Sequence, residues 1–213
     1  MKTIIYIHGK GGKTEEAERY KQLFNGCDVT GFDYCSTNPW EAKKEFSSFF
    51  ESACRDCDSV EIIANSIGAF FAMNADETAS KKIKKAYFIS PIVDMEKLIL
   101  DMMSWANVTE ERLRTEKEIR TDFGETLSYE YLCYVRKNKP EWNVPTHILY
   151  GEKDNLQTIG MISDFAKKTG ASLTVMKDGE HWFHTEEQVN FLDKWIKMQR
   201  AGDSVGIFRE TAL

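Results

Sequence analysis

The stretch Ala64-Asn65-Ser66-Ile67-Gly68 sets a serine between small residues, with the apolar run Val60-Glu61-Ile62-Ile63 before it and Ala69-Phe70-Phe71-Ala72-Met73 after it. A strand that must reverse at once into a helix leaves no room for large side chains beside the turn. Ala64 and Gly68 permit that close approach, which pushes Ser66 to a strained, exposed tip where its hydroxyl can meet a substrate. The plainer reading of the same residues is a serine capping an ordinary helix. A serine hydroxyl is a weak nucleophile at neutral pH, so it needs a base, and the base needs a carboxylate to fix its tautomer. Two other loops supply those residue types, Gly151-Glu152-Lys153-Asp154 and Asp178-Gly179-Glu180-His181. The chain order, Ser66 then Asp154 then His181, separates one arrangement of such residues from the others.

Each role has a rival. His184 follows His181 by three residues, and either could face the serine. Asp154 could cap the helix after it, and Asp94, after the fourth expected strand, is the reserve acid. His8 is expected to hold the glycine loop His8-Gly9-Lys10-Gly11-Gly12 rather than to react, and His147 to sit in a strand as a core or edge residue. Gly12-Lys13-Thr14 resembles the end of a phosphate-binding loop, but the glycine required five positions earlier is Ile7. Cys54-Arg55-Asp56-Cys57 is a lone pair without a second pair or a nearby histidine, which favours a structural role over metal or redox chemistry. No metal and no cofactor is expected.

The elements that must position these residues alternate. Strands are expected over 3–7, 27–33, 60–65, 86–90, 146–150 and 172–176, with helices between them: one from Thr14, one from Pro39, one after Ser66, one ending near Lys168 before Gly170, and a last one opened by the capping box Thr185-Glu186-Glu187-Gln188. That last helix would pack Val189, Leu192 and Ile196 on the sheet. Such alternation argues for an α/β fold of three layers, α/β/α, around a mostly parallel six-stranded sheet. Ligands bind outside the carboxyl ends of such strands, so the loops after strands should carry the chemistry. His8, Ser66, Asp154 and His181 all satisfy that expectation.

Between Asp94 and Asn143 the pattern changes. Met95, Leu98, Ile99, Met102, Met103 and Ala106 form one apolar helical stripe, and further helices are expected after Thr109 and Ser128, which makes an all-helical insertion. The methionines read as packing between insertion and core. Trp105, Tyr129, Tyr131, Tyr134 and Trp142 would give the insertion an aromatic underside. The organisation is therefore a core over 1–93 and 144–200, a helical insertion over 94–143 and a C-terminal tail over 201–213 that is loosely ordered or an interaction segment.

With 213 residues, 42% hydrophobic and 29% charged, the chain suits one globular domain. A net charge of −6 argues against a nucleic-acid partner, and Lys81-Lys82 with Lys84-Lys85 reads as a solvated helix end. No segment is apolar enough over sufficient length to span a membrane, and the run over 3–7 is too short for a signal peptide. Five cysteines without an export signal favour free thiols and a cytoplasmic location. The expected partner is a small-molecule substrate.

At this point the chain resembles the alpha/beta-hydrolase superfamily. The resemblance is carried by Ile4-Ile5-Tyr6-Ile7-His8-Gly9, Ile62-Ile63-Ala64-Asn65-Ser66-Ile67-Gly68-Ala69, Ile148-Leu149-Tyr150-Gly151-Glu152-Lys153-Asp154 and Asp178-Gly179-Glu180-His181-Trp182-Phe183. It implies a serine hydrolase, most commonly an esterase, with catalytic Ser66, Asp154 and His181. It also implies an oxyanion hole from the backbone N–H groups of Ile67 and Lys10, and a helical cap at 94–143. The chain begins at the strand bearing His8-Gly9, so a trimmed form of the fold is expected, and Asn65 replaces the His or Asp often found before the nucleophile. The alternative is a ligand-binding or scaffold protein that keeps the fold without the chemistry.

Overall fold

The computed structural model describes residues 2–54 and 59–202. Cys57 of the cysteine pair, and the tail from 203 onward, lie outside the described residues.

In chain order the elements are β1 (Lys2–Ile7), a 3-10 turn at Thr14–Glu16, α1 (Ala17–Lys21), β2 (Cys27–Gly31), α2 (Pro39–Ala53), β3 (Val60–Asn65), α3 (Ile67–Asn74) and α4 (Glu77–Ser80). There follow β4 (Ile83–Ile89), α5 (Met95–Trp105), α6 (Glu110–Glu116), β5 (Glu118–Arg120), β6 (Thr126–Ser128), α7 (Tyr129–Lys137), β7 (Thr146–Gly151), α8 (Ile159–Thr169), β8 (Ser172–Met176) and α9 (Glu186–Gly202). Among the described residues six strands form one sheet in the order β2-β1-β3-β4-β7-β8, every neighbouring pair parallel. The chain leaves β1 toward one edge and returns to the other side at β3, so the crevice of a reversing strand order opens between their carboxyl ends.

Alternation along the strands sorts side chains between the two faces. Ile5, Ile7, Ile62, Ala64, Phe88 and Ile148 bury themselves under α2, α3 and α8, while Ile4, Tyr6, Ile63, Tyr87, Ile89 and Leu149 pack under α1 and α9. From Gly68 to its end α3 is buried on all sides, as its continuous apolar sequence requires. In α9 the face toward the sheet is Leu192, Trp195 and Ile196, with Gln188 buried beside them and Val189 only half-buried.

Local differences from the sequence reading have simple causes. The segment 94–143 is not all helical: β5 and β6 pair antiparallel in a hairpin whose turn carries Gly124 at φ +85°. Each strand has three residues and one buried apolar side chain, Ile119 or Leu127, too few to show a period of two. Lys84 and Lys85 belong to β4 rather than to a helix end, because the strand already starts at the buried Ile83. The helix end read at Lys81-Lys82 belongs to the short α4, a separate element after α3 with its own N-cap, Asp76 accepting from Ala79 N.

The core is rich in buried phenols. Burial raises Tyr6, Tyr20, Tyr34 and Tyr131 well above the usual tyrosine range and, with the Asp154 charge adding to it, pushes Tyr150 up to about 12. An acid whose protonated form is favoured by folding stabilises fully below its unfolded pKa, about 10 for tyrosine, and that contribution disappears as pH rises through the folded value. The urea midpoint is therefore expected to fall steeply from pH 10 to pH 12, with tyrosinate absorbance appearing as the protein unfolds. A midpoint flat across that window contradicts it.

Candidate active site

Ser66 stands at the tip between β3 and α3 with φ +49° and ψ −119°, a conformation that non-glycine residues rarely adopt. Neighbours hold it there. Its N–H donates to Ile89 O at 3.0 Å, and its carbonyl accepts from Ala69 N and Ile92 N at 3.2 and 3.1 Å. A Cβ at Gly68 would lie 2.4 Å from His8 O, so position 68 has no room for a side chain, and Ala64 is fully buried. Ser66 makes no side-chain cap to α3, which sets aside the capping reading. Beside it, Asn65 donates Nδ2 to Tyr6 Oη at 2.9 Å, and Tyr6 in turn donates to Glu16.

The hydroxyl of Ser66 instead meets an imidazole. His181 Nε2 is 2.8 Å from Ser66 Oγ, and His181 Nδ1 is 2.7 Å from Asp154 Oδ2. A carboxylate accepts only, so Nδ1 carries the proton toward Asp154 and Nε2 is left to accept the serine proton. The Asp154 side chain is wholly buried, and its second oxygen accepts from Leu156 N and Gln157 N at 2.8 and 3.2 Å. Backbone N–H groups thus take both lone-pair directions of Oδ1, which leaves Oδ2 to face His181.

The two loops that carry Asp154 and His181 are locked together. Lys153 N donates to Gly179 O at 2.7 Å, Glu152 N to Met176 O at 3.0 Å, and Asp178 N to Glu152 Oε2 at 3.0 Å. A Cβ at Gly151 would lie 2.4 Å from Glu180 O. The glycine in Gly151-Glu152-Lys153-Asp154 is there for this contact.

The rivals lie elsewhere. His184 is exposed, its Nδ1 2.8 Å from Trp182 O and its ring stacked on Trp182. The Asp94 carboxylate caps α5 by accepting from Lys97 N at 2.9 Å. His8 holds its own loop, with Nδ1 2.8 Å from Gly9 O and its ring stacked on Tyr34 at 4.2 Å. His147 Nδ1 is 2.6 Å from Ser172 Oγ across the β7–β8 pair. At Gly12-Lys13-Thr14 the Glu16 carboxylate accepts the Lys13 N–H at 3.0 Å, so the loop presents an anion where a phosphate would need donors.

Lys10 and Ile67 flank the serine. A Cβ at Gly9 would lie 3.2 Å from Ser66 Cβ, which sets the loop after β1 directly against the turn between β3 and α3. Among the described residues neither the Lys10 nor the Ile67 amide donates to another backbone or side-chain group. Two unengaged N–H groups at the N-terminus of a helix and in a glycine-rich loop are suited to an anionic oxygen.

Ser66 opens into a cavity of about 720 Å³ between the sheet rim and segment 94–143. Met95, Leu98, Ile99 and Met102 line it, so the stripe of α5 both packs and faces the cavity. Of the aromatics expected there, Trp105 and Tyr131 line it. Trp142 is buried against Phe88 and donates to Thr146 Oγ1 at 2.7 Å, and Tyr134 packs on Trp40. Trp40 and Phe123, which the sequence reading passed over, also line it. Among the described residues no group of three or more His, Cys, Asp or Glu is placed to hold a metal, and no helix is long and apolar enough to cross a membrane.

Neither a protein-family model nor a curated protein sequence matches the chain. Solved structures do. The chain is similar to Est1E from Butyrivibrio proteoclasticus, with a TM-score of 0.73 and 15% identity over 95% of this chain and 88% of that one. It is similar to alpha/beta hydrolase domain-containing protein 10 from mouse, with a TM-score of 0.69 and 16% identity over 93% and 89%. A soluble variant of monoglyceride lipase from Saccharomyces cerevisiae gives a TM-score of 0.65 and 12% identity over 93% and 85%. At such identities the likeness is one of architecture, and the chain has the alpha/beta-hydrolase fold.

Proposed function

We propose that this protein is a serine hydrolase that cleaves a carboxylic ester of a small molecule through an acyl-enzyme on Ser66. The observation that carries the reading is the unbroken hydrogen-bonded run from the buried Asp154 through His181 to Ser66 at a strained strand-to-helix turn. Ser66 Oγ attacks the ester carbonyl carbon while His181 Nε2 takes the hydroxyl proton. The carbonyl electron pair moves onto oxygen, where the N–H groups of Lys10 and Ile67 stabilise it by about 3 kcal/mol each. Collapse breaks the bond to the alcohol oxygen, which leaves with the proton from His181. A water that gives its proton to His181 then attacks the acyl carbon, and the acid departs as Ser66 Oγ regains the proton.

In this reading residues 94–143 are the cap and residues 1–93 with 144–200 the core, and the cap supplies the apolar wall for the acyl group. Likeness to a monoglyceride lipase supports ester chemistry only as analogy of fold. A cytoplasmic setting is supported by the free thiols of Cys27, Cys35 and Cys133.

A series of p-nitrophenyl esters tests the reading. From acetate to longer acyl chains kcat/KM is expected to rise up to about fourfold per methylene, as about 0.8 kcal/mol of apolar burial allows, until the cavity is filled. A folded protein that hydrolyses none of the series above background contradicts it.

A further inference from the structure

Gln157 is 1% exposed and bonded on every side. Its Oε1 accepts from Val93 N at 3.0 Å and Asp94 N at 2.9 Å, and its Nε2 donates to Asp94 O at 3.3 Å and Leu156 O at 3.0 Å. Its backbone carbonyl accepts from the buried Tyr150 hydroxyl at 2.8 Å, and its backbone N–H is one of the two that hold Asp154 Oδ1. A primary amide thus uses both acceptor directions and both donors, which leaves it a single orientation.

The place of these bonds matters more than their number. Val93 and Asp94 are where the chain leaves the sheet for α5, the start of segment 94–143. Leu156, the neighbour of Gln157, lines the cavity over Ser66. The carboxamide pairs with Asp94 through both its N–H and its C=O, as a neighbouring strand residue would, and so bolts the root of the cap to the loop that presents Asp154.

We propose that Gln157 is a positioning residue for the reaction: it fixes the Asp154 carboxylate toward His181 by tying that loop to the root of the cap. The inference rests on the hydrolase reading above. It follows that Gln157 acts through Asp154, so removing its bonds should cost turnover only while Asp154 can still orient His181. A shift of the carboxylate by a fraction of an ångström is enough, since catalytic geometry misplaced by 1 Å costs about 100-fold.

The test is a double-mutant cycle on hydrolysis of a p-nitrophenyl ester. Gln157→Met keeps the length and removes the hydrogen bonds. In the native background it is expected to lower kcat about 10-fold or more with KM changed less than about threefold, and in the Asp154→Asn background to lower kcat less than about twofold. Activities are compared where circular dichroism reports each variant folded. If Gln157→Met does not fold, Gln157→Glu, which keeps an acceptor for the two N–H groups, runs the same cycle with the same expected non-additivity. Equal losses in both backgrounds, or an unchanged kcat, overturn the inference. Turnover that survives Ser66→Ala overturns the hydrolase reading itself and this inference with it, whereas Ser66-dependent turnover with additive losses overturns the inference alone.

Discussion

Ser66→Ala is expected to leave a folded protein whose ester turnover has fallen by a factor on the order of 10⁴ to 10⁶. The two halves of that expectation come from different observations. Stability should survive because alanine meets the same backbone demand at φ +49° as serine does, and because the hydroxyl caps nothing. What is removed is the bond to His181 Nε2, which is a side-chain contact at the rim and not part of the core. The urea midpoint should therefore correspond to a change within about 1 kcal/mol. Turnover collapses because no other hydroxyl is hydrogen-bonded to His181 among the described residues. Measuring kcat with the folded fraction established by circular dichroism separates the two effects, and retained turnover in a folded variant contradicts the assignment.

Asp154→Asn should cost about 10⁴ in kcat, with KM little changed, through the tautomer rather than through packing. Asparagine is almost isosteric, and its carbonyl oxygen can keep the N–H groups of Leu156 and Gln157. That choice points the amide NH₂ at His181 Nδ1, which must then accept, so the imidazole proton moves to Nε2 and faces Ser66 Oγ. A protonated Nε2 cannot take the serine proton. The Asp154 side chain is wholly buried and makes no contact with the cavity that would bind substrate, so KM has no reason to move. A loss confined to KM, or a loss of less than tenfold, contradicts this role for Asp154.

Much of this arrangement is legible in the residues themselves, because it rests on short-range constraints. Small residues at Ala64 and Gly68 flank a serine, glycines sit where backbone approaches backbone, and β-branched runs end in loops. The bounds of β3 and β8 follow from such local patterns, as does the cap of α7 at Ser128. What escapes the sequence depends on contacts remote in the chain. The β5–β6 hairpin is too short to show a period. Trp40 reads only as the second residue of α2, yet α2 brings it over the cavity. Gln157 is chemically unremarked until burial and its bonds to Val93 and Asp94 are seen. The choice between His181 and His184 likewise turns on how the loop after β8 bends, with Asp178 at φ +57°, which three residues of spacing cannot report.

The claim on which the account depends is that Ser66 is an activated nucleophile, and a fluorophosphonate probe reads that most directly. Incubated with the native protein and followed by peptide mass spectrometry, it should leave one stoichiometric phosphonyl adduct on the peptide carrying Ser66, and His181→Ala should abolish the adduct. Native, folded protein that takes up no label at Ser66, or takes it up equally without His181, would contradict the account.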